Sequence, residues 1–247
     1  MQIDDQGKPS RTNPDVKHFN QWALTYEQSI MQRLLFSPVH TKMLYLLVNE
    51  GTKEPPKCIL DVGCGTGRFL RVASVRWPQA QLLGVDPAEQ MVLEAARLNP
   101  QANFKVGFAE SLPFPDESAD IIVSSLSFHH WEDHQKGIHE IARVLRPGGL
   151  LCLADHNMLL AKLWREKVKS RKEIQTFMVE AGFTVRRRQE LGLRFVLITL
   201  AQKCAPNASV QSYKIDGANY DYNLYGISST IFNPNVMPNF NPFGEKL

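Results

Sequence analysis

The residues best placed to do chemistry in this sequence are Asp61, the glycines Gly63, Gly65 and Gly67, Asp86, and the pair His129-His130. The glycines alternate with Cys64 and Thr66 in the stretch KCILDVGCGTGRFL, where an apolar run leads into Asp61-Val62 and a helix follows from about Arg68. A strand, a glycine-rich turn and a helix N-terminus form a place where a ligand meets bare backbone, and such turns often hold a dinucleotide's pyrophosphate. Here the spacing is Gly63-x-Gly65-x-Gly67, without the two-residue gap before the third glycine of the dinucleotide fingerprint. Asp61, at the mouth of the loop, would repel a pyrophosphate but suits an ammonium group through a charge-assisted hydrogen bond. The next apolar run, Leu82-Leu83-Gly84-Val85, ends in Asp86, whose carboxylate can accept both hydroxyls of a ribose. Together they ask for a ligand with an amino group and a ribose, and no phosphate.

His129 and His130 follow the apolar run from Asp120 to Leu126, in a loop at the carboxyl end of a strand, the side on which doubly wound sheets bind ligands. An imidazole there titrates near neutrality and can take a proton from an oxygen, nitrogen or carbon acid. The competing role is structural: one of the two caps the next helix or holds the loop.

The elements that must position these residues are legible from periodicity. Asn13 can cap a helix, Pro14 suits its first position, and Phe19, Trp22, Ala23, Tyr26 and Ile30 recur at spacings of three and four. That pattern runs through Met31, Leu34, Leu35 and Phe36 to a break at Ser37-Pro38, and a second helix from about Val39 carries Met43, Leu44, Leu46 and Leu47. Strands are expected at Gln81–Asp86, Asn103–Gly107, Asp120–Leu126 and Leu150–Asp155, the last preceded by a turn at Arg146-Pro147-Gly148-Gly149. Helices are expected from Pro87 to Leu98, up to Leu145, and from Ser170 to Ala181, with Gly182 as a stop; Phe183–Leu191 and Leu193–Lys203 then read as strands.

At 247 residues with 43% apolar content, the chain can bury one sizeable core, and no apolar run approaches the ~20 residues of a membrane span. The opening MQIDDQGKPSRTNPD is polar and of mixed charge, unlike a signal or transit peptide, so the expected compartment is the cytoplasm. Cys58, Cys64, Cys152 and Cys204 are scattered without metal-ligand spacing, which predicts reduced thiols and no structural metal. A net charge of +3 does not by itself imply a nucleic-acid partner.

The motifs DVGCGTG at 61–67, VDPAEQM at 85–91, AESLPF at 109–114 and RVLRPGG at 143–149 resemble, in order and spacing, those of class I S-adenosylmethionine-dependent methyltransferases. The resemblance covers roughly residues 14 to 203 and is nearest to the small-molecule branch that includes quinone-ring methyltransferases. It implies a Rossmann-like α/β fold: a doubly wound seven-stranded sheet, mostly parallel with the last strand antiparallel, and helices on both faces. It implies S-adenosylmethionine as cofactor, with S-adenosylhomocysteine as product, bound by Asp61, Gly63, Cys64, Gly65, Gly67, Asp86, Pro87, Met91, Ala109, Glu110, Ser125 and Tyr26. Trp22 would join Tyr26 near the cofactor, where aromatic faces suit a sulfonium cation. Many relatives have, at the position of Phe108, an Asp that binds the adenine amino group; here backbone groups near Ala109 with apolar packing, or Glu110, must serve instead.

The implied division is a disordered segment 1–13, a helical lid 14–50, a cofactor-binding methyltransferase domain 51–203, and an Asn/Tyr-rich tail 204–247, disordered or loosely docked. The short stretch from His156 to Lys169 stands where many relatives insert a cap. The expected partner is a small-molecule substrate, with no nucleic acid and no membrane insertion. Three other functions stay open on the sequence: an RNA methyltransferase using Lys162, Arg165, Lys167, Lys169, Arg171, Lys172 and Arg186-Arg187-Arg188 as a basic rim; a nicotinamide dehydrogenase; and a catalytically silent S-adenosylmethionine-binding protein.

Overall fold

The computed structural model describes residues 14–29, 34, 36–51, 54–157, 169–192 and 195–205, together with the backbone at 213–215 and 218–220. The expectations for residues 1–13, for the connection 158–168 and for the tail's aromatic side chains lie outside the described residues. The chain divides into two units, 1–206 and 207–247. The first runs α1 (Pro14–Tyr26), α2 (Ser37–Glu50), β1 (Cys58–Val62), α3 (Arg68–Arg76), β2 (Gln81–Asp86), α4 (Glu89–Leu98) and β3 (Asn103–Val106). It continues with β4 (Ala119–Ser125), a 3-10 turn (Phe128–His130), α5 (His134–Val144), β5 (Leu145–His156), α6 (Arg171–Glu180), β6 (Phe183–Leu191) and β7 (Val196–Lys203). In the second unit β8 (Tyr213–Ile215) and β9 (Ala218–Tyr220) pair antiparallel.

All five residues of β1 are buried, as a strand in the middle of a parallel sheet must be. It pairs in parallel with β2, Ile59 beside Leu82, and with β4, Ile59 beside Ile121. The sheet order is β3-β2-β1-β4-β5-β7-β6, and β7 runs antiparallel to both of its neighbours. This is the doubly wound sheet that the motifs imply. Alternation along the strands sends successive side chains to opposite faces. Leu60, Ile122 and Leu151 pack with Ile138 and Ile141 of α5 and Met178 of α6, whereas Ile59, Ile121 and Cys152 pack with Met43 and Leu46 of α2 and Phe69 of α3. Each such fully buried aliphatic or aromatic side chain stabilises the fold by roughly 1.5–3 kcal/mol.

Polar links fix the register of these layers. Asp120 accepts hydrogen bonds from the backbone N–H groups of Lys57 (2.7 Å) and Cys58 (2.8 Å) and an ion pair from Arg146 (2.6 Å), tying together the starts of β1, β4 and β5. Ser170 and Glu173 close a reciprocal capping box on α6, and Asp133 caps α5.

Two boundaries differ from the sequence pattern. The first helix ends at Tyr26, where 3-10-type bonds from Gln28 to Thr25 and from Ser29 to Tyr26 tighten its last turn and the Glu27 side chain turns toward α3; the expected continuation at residues 30–33 and 35 lies outside the described residues. The expected turn at Arg146–Gly149 falls inside β5 as a bulge: these four residues stand opposite Asp120 alone, between the pairs Ala119–Leu145 and Ile121–Leu150, with Gly148 at φ +77° and Arg146 bonded to Asp120.

Candidate functional site

Chain order reverses between β1 and β4, since β2 and β3 lie on one side of β1 and β4 on the other. Ligands of doubly wound folds bind outside the strands' carboxyl ends at such a switch point. A cleft opens there, enclosing about 1000 Å³ of empty space with the solvent at its mouth included. That is ample for a nucleoside joined to an amino acid.

The glycine loop forms the floor. The amides of Gly63 and Cys64 donate to Val85 O at 2.8 and 3.0 Å, that of Gly65 to Asp86 Oδ2 at 2.9 Å, and that of Gly67 to Cys64 O at 2.9 Å. These four donors are spent inside the protein, which leaves the glycines themselves no amide to offer a phosphate. Gly65, at φ +51°, faces space: a Cβ there would meet only Tyr26 Cε1, at 3.8 Å. Gly67, at φ +72°, serves packing instead, since a Cβ would strike the Phe104 ring at 2.8 Å. It opens α3 and lies outside the cleft lining.

Two carboxylates are buried against this floor. Asp61, 2% exposed, is the penultimate residue of the buried β1, and its Oδ1 has no hydrogen-bond partner. Burial, reinforced by the charge of Asp86, pushes its pKa up to about 8. Asp86 accepts from Gly65 N and, through Oδ1, from Ala88 N at 2.9 Å. Burial raises its pKa to about 6 against the pull of those two amides. An unpaired carboxylate oxygen in a dry site is costly unless a donor, best a cationic one, completes it.

The structure brings most of the sequence-predicted residues to one cleft. Its walls include Asp61, Gly63, Cys64, Gly65, Asp86 and Pro87 from the first two βα turns, then Met91, Ala109, Glu110, Ser125, Tyr26 and His130. Trp22 packs edge-on against Tyr26 at 4.8 Å and is not part of the lining, nor is His129. Phe108 lines the cleft, and Glu110, 5% exposed, accepts from the amides of Glu132 and Asp133 through Oε1, which anchors the loop before α5.

His129 is buried, with Nδ1 2.7 Å from Asp155 Oδ1. Among the described residues, His129, Asp155 and His156 bring potential metal-ligating atoms within 4.8 Å of one another. The same Asp155 oxygen also accepts from the backbone N–H of His156 at 2.8 Å, so the carboxylate is satisfied within the chain. Ahead of the 3-10 turn, Leu126 adopts a left-handed φ of +54°, rare for a branched side chain, and Ser127 pins the loop to Val62 O at 3.1 Å.

Several cleft residues carry no local sequence signal. His40 of α2 is buried among apolar neighbours, with Nε2 2.9 Å from Ser125 Oγ and Nδ1 without a hydrogen-bond partner. Burial, helped by the Arg68 charge, lowers its pKa to about 4, so the ring is neutral. Asp15 and Arg68 also line the cleft. The helix α1 lies across it, held at three places. Asp15 meets His130 (2.9 Å), Asn20 Oδ1 accepts from Gln90 N (2.9 Å), and Glu27 meets Arg68 (3.0 Å), Arg71 (2.8 Å) and the Thr66 hydroxyl. Burial raises the Glu27 pKa, but bonds from Thr66 and Arg71 outweigh it and hold the carboxyl below its ordinary value.

A sheet of this order, with a glycine floor and acidic residues at the ends of its first two strands, defines the Rossmann-like methyltransferase class of fold. Residues 60–153 match the family model described as "Methyltransferase domain". The chain is 41% identical over 103 residues to a malonyl acyl-carrier protein O-methyltransferase of Methylococcus capsulatus, covering 40% of this chain and 38% of that protein. It is 34% identical over 119 residues to a demethylmenaquinone methyltransferase of Chlorobaculum parvum, covering 47% and 48%. The matched region thus spans less than half the length of these curated relatives. Among solved structures, the YcgJ protein of Bacillus subtilis aligns with a TM-score of 0.57 at 22% identity, covering 67% of this chain and 99% of that one. The 4+2-cyclase SpnF aligns at 0.61 and 19% identity, covering 68% and 80%. Likeness at that level is a likeness of fold.

Proposed function

We propose that this chain methylates a small organic acceptor at oxygen, nitrogen or carbon, using S-adenosylmethionine. The observation that carries the reading is the unpaired, buried Asp61 carboxylate oxygen beside a glycine floor whose amides are already committed. Such a site selects an ammonium group and rejects a pyrophosphate, which argues against a nicotinamide cofactor. In this reading Asp61 takes the amino group, Gly65 lets the ligand lie against the backbone, and Asp86 takes the ribose hydroxyls. Met91, Phe108 and Ala109 enclose the base, with Glu110 bracing the loop beneath it. Tyr26 faces the sulfonium.

When bound, S-adenosylmethionine supplies a methyl group already activated on a positive sulfur. The chain therefore has to orient the acceptor and exclude water, and favourable orientation is worth up to roughly 7–11 kcal/mol. Residues 51–203, with α2 packed on the sheet, provide the binding domain, and α1, the part of the expected 14–50 lid that lies across the cleft, covers it. The relatives named as quinone and malonyl acyl-carrier protein methyltransferases favour an organic acceptor over a nucleic acid. A nucleic-acid acceptor gains less support, because several described basic residues are answered within the chain: Arg187 by Glu50 (3.5 Å), Lys169 by Glu173 (3.9 Å) and Arg171 by Glu190.

Calorimetric titration of the purified protein with S-adenosylmethionine, S-adenosylhomocysteine and NAD tests the reading. Micromolar binding of the first two and none of NAD is expected; binding of NAD alone would overturn it. Methyl transfer to a panel of phenols, quinones and carboxylic acids then separates an enzyme from a silent binding protein.

A further inference from the structure

We infer that Asp15, in the first turn of α1, is a positioning residue that holds His130 in the tautomer of a general base; the inference rests on the methyl-transfer reading above. His130 Nδ1 lies 2.9 Å from Asp15 Oδ2, although the two residues are 115 positions apart, and both line the cleft. The side chains are 18% and 35% exposed, so the pair is partly shielded from water. An ionised carboxylate only accepts hydrogen bonds, so Nδ1 carries the hydrogen and the ring's lone pair lies on Nε2.

The ring's plane is fixed as well. Phe19, one turn along α1 from Asp15, meets it edge-on at 5.1 Å, and His129 lies tilted against it at 4.1 Å. His129 has its own carboxylate, Asp155, but of the two imidazoles His130 is the one in the cleft wall. Each histidine thus has an acid partner, and they divide the work: His129–Asp155 braces the loop, and His130–Asp15 faces the acceptor.

The ring comes from the loop after β4, whereas the carboxylate and Phe19 come from α1. The base is therefore complete only with α1 across the cleft. In the reaction the acceptor's proton moves to Nε2, the electron pair it leaves forms the new bond to the methyl carbon, and the pair of the broken carbon–sulfur bond stays on sulfur. The resulting imidazolium is held against the Asp15 carboxylate.

The test is long-range proton–nitrogen NMR of the imidazoles in the full-length chain, with His130 assigned through His130→Gln. Wild type is expected to show His130 protonated at Nδ1 and unprotonated at Nε2 above its titration. Asp15→Ala is expected to release the ring to the commoner Nε2–H form, and Asp15→Glu to restore the Nδ1–H form. An acid that merely starts a helix would leave these nitrogen shifts unmoved. The same tautomer in wild type and Asp15→Ala, in samples that both bind S-adenosylhomocysteine, overturns the inference and leaves the cofactor reading intact. Failure of wild type to bind S-adenosylhomocysteine overturns the reading, and the catalytic role of the pair with it, whatever the tautomer.

Discussion

Asp61 stores the unfavourable charge of the site. Its pKa near 8 in the folded chain lies far above the ordinary 3.8, so folding favours its protonated form. That contribution to stability is full below about pH 4 and is lost as pH rises through 8; Asp86, raised to about 6, has the same sign. The ligand-free protein should therefore lose melting temperature between pH 6 and 8. An ammonium ligand needs Asp61 ionised, so binding at pH 7 should expel close to one proton, read by calorimetry in buffers of different ionisation enthalpy. Asp61→Asn should abolish that proton release, flatten the pH dependence of stability above pH 6, and weaken ligand binding by roughly 100-fold, in line with losing a charge-assisted hydrogen bond in a dry site. Unchanged proton release would show that Asp61 is not the titrating group.

The glycines give a second contrast at this scale. Gly65→Ala and Gly67→Ala both place a side chain at positive φ, costing about 1–2 kcal/mol. Only Gly67→Ala also drives a methyl group into Phe104, so it should unfold at lower urea by a further ~1–3 kcal/mol. Gly65→Ala should instead lose ligand affinity by at least about tenfold, because its Cβ enters the cleft. Sequence spacing marks both glycines as special but does not separate these roles: what distinguishes them is the Phe104 ring, brought from β3, 37 positions downstream of Gly67.

At the scale of elements, Asp120 is the staple between three strands. Two backbone amides and one guanidinium share its carboxylate. Asp120→Ala should cost about 2–4 kcal/mol in urea denaturation, because it strands those donors at a strand start. Since Asp120 lies at the opposite ends of the strands from the cleft, ligand affinity at low temperature should hardly change. The first two strands are readable because each is a short apolar run ended by an acid: Cys58-Ile59-Leu60 before Asp61, Leu82–Val85 before Asp86. The start of β5 at Leu145 is not, because Arg146-Pro147-Gly148-Gly149 has the composition of a turn, and the pairing of Leu145 with Ala119 ahead of that bulge leaves no local signal.

For the whole molecule, the glycine-and-carboxylate floor of the cleft is legible in the sequence and much of its far wall is not. Asp61, Gly65 and Asp86 lie within 26 residues, in local motifs whose chemistry follows from type and spacing. Asp15, His40 and Trp131 converge on the same cleft from three separate segments, and no local pattern announces such a convergence. The two-unit division makes its own prediction. A chain ended after Pro206 should unfold in one cooperative transition at the same urea concentration as the full chain, because the seven-stranded sheet is complete by Lys203. A large loss of stability would show that residues 207–247 belong to the first unit.

The helix α1 rests on the cleft through a short apolar strip, but its three fastenings are polar: an Asp with a His, an Asn with a backbone amide, a Glu with two Arg. Bonds of that kind, partly open to water, are weak singly and exchange quickly. Entry to the cleft would then be timed by their joint release rather than by diffusion. In stopped-flow mixing with S-adenosylhomocysteine the observed rate should climb and then level off as ligand is raised, the plateau being the opening rate of the helix. Added salt should lift that plateau, and Glu27→Ala should lift it further, turning a slow, gated arrival into one that rises in proportion to concentration.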